Sequence, residues 1–106
     1  MSFEIRALRD SCLVLSVAEA NFGILDAQAL ITMIADIEAF DTADELISYF
    51  GPDAVVHEDD SISARVGDNY TATFIPTGLR FDRNPDGRVI WSSVSRLKLM
   101  EIKRCR

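Results

Sequence analysis

The sequence predicts an α+β fold in which two to three N-terminal helices pack on one face of a mainly antiparallel sheet. Three observations point there. Apolar residues recur at helical spacing through the first half of the chain and switch to alternation after Pro52. Thr42, with Glu45 three residues on, forms a capping-box signal just before that change. In the second half, turn residues separate short β-branched and aromatic runs, the pattern of a meander following helices.

Phe3-Glu4-Ile5 alternates apolar and polar residues and reads as a short first strand. Leu8, Cys12, Leu15 and Phe22 then recur at helical spacing, with Val14 and Val17 widening the stripe, so one helix is expected up to Asn21-Phe22-Gly23. Asp26 is the expected N-cap of a second helix with the stripe Leu30, Ile31, Ile34 and Ile37. Thr42 and Glu45 open a third, short helix that buries Leu46, Ile47 and Phe50 and stops at Gly51-Pro52. Strands are expected at Val55–His57, Ser61–Val66 and Tyr70–Ile75. A tight turn at Gly67-Asp68-Asn69 joins the last two, with Gly67 and Asn69 taking unusual backbone angles. Thr77–Gly87 reads as loop, with a turn at Pro85-Asp86-Gly87. Val89–Ile102 is the longest strand signal. Both of its faces are mixed, as for a strand paired on both edges.

At 106 residues the chain fits one domain, and 48% hydrophobic with 26% charged residues excludes a disordered or membrane-spanning class. The apolar stretches around Cys12–Val17 and Ala27–Ala35 are too short to cross a bilayer. Met1–Arg9 contains Glu4 and no long apolar run, so no secretory signal is read and a cytoplasmic location is expected. The two cysteines are expected to be one buried small hydrophobe, Cys12, and one exposed thiol, Cys105, rather than a redox or metal motif.

Charge is distributed unevenly. The net charge is −6, yet 12 carboxylates and no lysine or arginine lie between Arg9 and Arg65, while Arg65 to Arg106 holds nine basic residues against four acids. A polyanion is therefore repelled by the first half and attracted only by the C-terminal strand region.

His57 is the one histidine, and beside three acids it reads from residue type alone as a surface or satisfied core residue. Glu58-Asp59-Asp60 offers consecutive hard oxygen ligands, but no spaced further acid accompanies it, and a solvated turn is the favoured reading over a Mg²⁺- or Mn²⁺-dependent phosphoesterase. Arg96, Lys98, Lys103, Arg104 and Arg106 form a basic strand end suited either to solvent or to a nucleic acid or acidic protein. Tyr70, Phe74 and Trp91 alternate with small residues and read as core. No phosphate loop, metal-ligand spacing or nucleophile triad is present, and no cofactor is expected.

Several stretches, taken in order, resemble a known family. They are Ala39–Leu46, Gly51-Pro52, Val56-His57-Glu58, Tyr70–Pro76, Asp86–Val94 and Leu99–Ile102, and together they span nearly the whole chain. The sequence resembles the RelE/ParE superfamily of small bacterial toxins, its killer-protein (HigB-like) branch in particular, with Asp86–Val94 the most specific run. The resemblance implies a toxin–antitoxin module, an antitoxin-like protein partner, and messenger-RNA cleavage on the ribosome with His57 as acid or base and Arg65, Arg96 or Lys98 as the phosphate contact. It also implies departures. Thr71 stands where many relatives place arginine, Glu58-Asp59-Asp60 replaces a basic stretch, and the chain ends Lys103-Arg104-Cys105-Arg106 where killer proteins often end aspartate-tyrosine-histidine. Loss of one transition-state cation lowers rate on the order of 100-fold. The expected function is thus a toxin-family component whose cleavage is impaired or lost. The alternative is a non-catalytic interaction module that binds an antitoxin-like partner, or a second copy as a homodimer, in an apolar groove between helices and sheet.

Overall fold

The computed structural model describes residues 1–77 and 81–104. Gly78, Leu79 and Arg80 of the expected loop, and Cys105 and Arg106 of the expected basic end, lie outside the described residues. The described residues form β1 (Ser2–Phe3), α1 (Arg6–Leu13), α2 (Leu15–Phe22), α3 (Ile24–Ala39), α4 (Ala43–Phe50), β2 (Ala54–Val56), β3 (Ile62–Val66), β4 (Tyr70–Pro76) and β5 (Leu97–Arg104). The strands make one sheet in the order β1-β5-β4-β3-β2, parallel between β1 and β5 and antiparallel elsewhere. The N-terminal helices pack against this sheet, giving the expected α+β architecture.

The first helical stretch is two helices, not one. Val14 is extended (φ −116°, ψ 110°) and separates α1 from α2. On one straight helix Cys12 and Ala18 would point about 120° apart, given roughly 100° per residue. The break lets both be buried, and it leaves Leu13, Val14 and Leu15 exposed. Neither expected cap forms as read. α3 begins at Ile24 after Gly23 (φ +85°), placing Asp26 in the first turn, where its carboxylate complements the helix dipole and accepts from Asn69 Nδ2 at 3.0 Å. Thr42 does occupy the N-cap of α4, but its hydroxyl donates to the Asp44 carboxylate instead of capping a backbone N–H.

β2, β3 and β4 follow the alternation. The β3–β4 turn uses the left-handed conformation at Gly67 (φ +58°), while Asn69 keeps a negative φ and spends its side chain on Asp26. A Cβ on Gly67 would collide with the Asp26 carboxylate, so the turn is held tightly against α3. The expected strand at Val89–Ile102 is corrected to Leu97–Arg104. Ahead of it, Val89 bridges Arg83, Trp91–Ser93 makes a 3₁₀ turn, and Val94 O accepts the Ala43 N–H at 2.8 Å. Within β5 a bulge also mixes the faces. Phe74 pairs Leu99 and Thr73 pairs Glu101, so Met100 is the extra residue and Leu99 and Ile102 fall on the same side.

The core lies between helices and sheet. Ile62, Ala64 and Val66 of β3, Ala72 and Phe74 of β4, and Leu97 and Leu99 of β5 are buried with Leu30, Ile34, Ile37, Leu46 and Cys12. Full burial of a side chain the size of Leu30, Leu46, Ile62, Phe74 or Leu99 contributes about 1.5–3 kcal/mol. Tyr70 and Trp91 pack against this core as expected, Tyr70 edge-on to Phe22 with ring centroids 4.9 Å apart. The opposite sheet face, with Ser63, Arg65, Thr71 and Thr73, is half-buried to exposed.

Candidate functional site

The turn between β2 and β3 positions His57. Its N–H donates to Ser61 O at 2.9 Å, and the Asp60 N–H donates back to His57 O at 3.1 Å. Asp59 organises the turn by accepting from the Ser61 hydroxyl at 2.6 Å and the Ser61 N–H at 3.1 Å, the habit of an Asx turn. The Ser61 hydroxyl, then its N–H, hold the Asp59 carboxyl below the usual carboxylate range. The imidazole turns to the open sheet face, with Nε2 2.7 Å from Ser63 Oγ.

Asp60 behaves differently from its neighbours. It adopts φ +63°, and its side chain is only 16% exposed. Oδ1 accepts from the Val89 N–H at 3.2 Å and from Arg88 Nε at 3.2 Å, while Oδ2 accepts from Arg83 Nη1 at 3.1 Å. The Val89 N–H, followed by the two guanidiniums, lowers its pKa. Arg88 also reaches His57 O at 3.2 Å, tying the 81–89 loop to the histidine's own backbone. The acids that replace a basic stretch after His57 are thus partly neutralised within the fold. Asp59 is absorbed by Ser61 and Asp60 by two arginines. Neither is directed at a common ion, and among the described residues no three His, Cys, Asp or Glu side chains are grouped to hold a metal.

The expected phosphate contacts are not gathered. Arg65 shares the outer face of β3 with Ser63, two residues away, beside a shallow recess of about 300 Å³ that also involves Val55 and Thr71. Lys98 lies on β5, with β3 and β4 between it and the histidine. That is three strand spacings, about 14 Å. Its Nζ is bound to Glu4 Oε2 at 2.7 Å. Arg96 precedes β5 and lines a separate cleft beneath α3 and α4. Lys103 pairs Glu101 at 3.9 Å. Sequence reasoning missed Arg83 and Arg88 as partners of Asp60. Their only signal was the turn at Pro85-Asp86-Gly87, which forms with Asn84 Oδ1 accepting the Arg88 N–H at 2.9 Å and so aims Arg88 backwards.

A second feature is a groove along α3. Leu25, Ala29 and Met33, spaced four apart, line it with Phe50 from the end of α4, and Asp36, Asp53 and Arg65 stand at its margins. Its volume is about 430 Å³. Residues 25 to 36 of a helix span about 16 Å, the length of three turns. Leu25 is 82% exposed.

No family model, curated protein or solved structure matches this chain.

Chemically, the His57 region supplies one proton-transfer group, one hydroxyl and one cation, Arg65, that has no ion pair among the described residues. In-line cleavage of RNA calls for a base, an acid and a cation at the phosphorane. The α3 groove mixes the apolar Leu25, Ala29 and Phe50 with the exposed Gln28 and Thr32 and has mainly acidic charge at its margins, which is chemistry for a basic amphipathic segment.

Proposed function

We propose that this chain is a toxin-family component of the RelE/HigB-like kind that works by binding an antitoxin-like protein and has lost messenger-RNA cleavage. The sequence resemblance supports the lineage. The observation that carries the binding role is the α3 groove, where Leu25, Ala29, Met33 and Phe50 lie along a three-turn length with Asp36 and Asp53 at the edge. An exposed leucine at the mouth of such a groove is the anchor a partner helix takes at i, i+4 spacing. Loss of cleavage is supported by the dispersal of the cations, since Lys98, Lys103, Arg83 and Arg88 are each bound to an acid of the same chain.

The test uses the product of the neighbouring reading frame, expressed with this chain. Leu25→Asp should weaken that complex at least about tenfold, the scale of one lost apolar anchor, with the fold intact because Leu25 is exposed. Tight binding by the variant, or no complex with the native chain, overturns the reading. Residual cleavage is a second reading, favoured by the His57–Ser63 contact beside Arg65. Induced expression decides between them. Equal growth with the native chain and His57→Ala removes cleavage, whereas ribosome co-sedimentation with growth arrest relieved by His57→Ala restores it.

A further inference from the structure

Apart from both regions above, α3, α4 and the segment leading into β5 enclose a cleft of about 390 Å³. Its floor is closed by the buried core residues Ile37, Leu46, Val94 and Leu97, and the apolar side chains open to it are the half-buried Met1 and Phe40. The cleft's frame is fixed by backbone, since the Ala43 N–H donates to Val94 O at 2.8 Å and the Thr77 N–H donates to Arg96 O at 3.0 Å. At the rim stand the hydroxyls of Thr42 and Ser95, the carboxylate of Glu38 and the guanidinium of Arg96. Arg96 makes no ion pair among the described residues, unlike Arg83, Arg88, Lys98 and Lys103. It also borders a second concavity formed with Met1, Ser2 and Thr77, so its donors are open on two sides.

Size and charge select the occupant. One helical turn, 5.4 Å tall and about 10–12 Å across, would fill the cleft alone, so a partner helix does not fit. Small-molecule sites of about 300–1,000 Å³ with a few placed polar groups do match it in size. A planar guanidinium without a counterion is matched by a carboxylate, which it grips through two parallel hydrogen bonds. Glu38 on the same rim repels a second negative charge, disfavouring dicarboxylates and phosphate monoesters. We propose that this cleft is a binding site for a small monocarboxylate with an apolar body, the carboxylate held by Arg96 and the body resting on Phe40 and Met1 above the buried floor. The site is separate from the α3 groove, and its test does not depend on any partner protein.

The experiment is an amide-resolved NMR titration of the full chain with three isosteric probes: 4-phenylbutyrate, 4-phenylbutanamide and 4-phenylbutylamine. The carboxylate should give saturable shifts at Ala43, Leu46 and Leu97 and bind about tenfold more tightly than the amide, the size of one charge-assisted contact. Arg96→Gln, with a well-dispersed spectrum, should weaken the carboxylate about tenfold and bring it level with the amide. Leu25→Asp should leave all three affinities unchanged. Absence of saturable shifts with millimolar carboxylate, equal binding of carboxylate and amide to the native chain, or tighter binding of the amine overturns the proposal.

Discussion

Asp60 joins three donors from a loop more than twenty residues away while holding a left-handed backbone. Two properties of aspartate are used at once there. The short side chain tolerates φ > 0 better than most residues, and the carboxylate offers two oxygens to Arg83 on one side and to Arg88 and Val89 on the other. Substitutions should separate these roles. Asp60→Asn keeps the tolerance of positive φ and one acceptor oxygen but loses the charge. Asp60→Ala loses all three and leaves the part-buried Val89 N–H without its acceptor. The expected order of melting temperature is native, then Asn, then Ala. Hydrogen exchange at Val89 should speed up in the same order. Equal exchange in all three proteins would show that the loop is held by other contacts. His57 sits next to this anchor, and its carbonyl takes the Arg88 donor at 3.2 Å, so loosening Asp60 should also broaden the His57 ring resonances.

Among the elements, β5 shows why a strong pattern can still mislead. Alternation from Val89 to Ile102 reads as one long strand with mixed faces, and the mixture has two causes: the residues before Leu97 are not strand, and Met100 is a bulge. The bulge there moves Glu101 opposite Thr73, on the outer face, and returns Ile102 to the core side opposite Ala72. Deleting Met100 should therefore restore an unbroken alternation, with Leu99 and Ile102 inward and Glu101 outward. The fold should survive with its strand pairings, measured as retained cross-strand contacts between Thr73 and Glu101. Deleting Lys98, which lies in regular ladder and bonds Glu4, should instead unfold the C-terminal edge. Collapse of both variants alike would mean that the bulge is required. Elements set by local chemistry were legible in the sequence: the alternation of β3 and β4, the glycine turn between them, the apolar stripe of α3 and the start of α4. The break at Val14 was not, because it answers to where Cys12 and Ala18 must point in the assembled core, a tertiary demand. His57 and Arg65 could be picked out as residue types. The pairing of Asp60 with Arg83 and Arg88 could not, since sequence separation hides it.

For the whole molecule, the uneven charge of the sequence is partly cancelled by folding. Glu4 reaches Lys98 across the β1–β5 edge, and Asp60 gathers Arg83 and Arg88, so acids of the first sixty residues meet cations of the last forty. This makes stability depend on pH at both ends. Asp59 and Asp60 have native pKa values below the 3.8 of the free side chain. Their contribution is present in full above that value and is lost as pH falls through the lowered native values. Cys12 lies at the opposite end of the scale. It is buried under α3, and that burial pushes its thiol up from 9.0 to about 11. A raised native value means that the unfolded chain releases this proton first, so the contribution is complete below pH 9 and disappears as pH rises towards about 11. Melting temperature should thus form a plateau from about pH 5 to 9 and fall on both sides. Cys12→Ala isolates the alkaline limb. It leaves a small cavity that lowers stability by about 1 kcal/mol across the plateau. Above pH 9 its curve should close on that of the native chain and cross it before about pH 11, because only the native chain has a thiol at position 12 to ionise on unfolding. Parallel curves across that range would place the Cys12 thiol in contact with water and contradict the packing of α1 on the sheet.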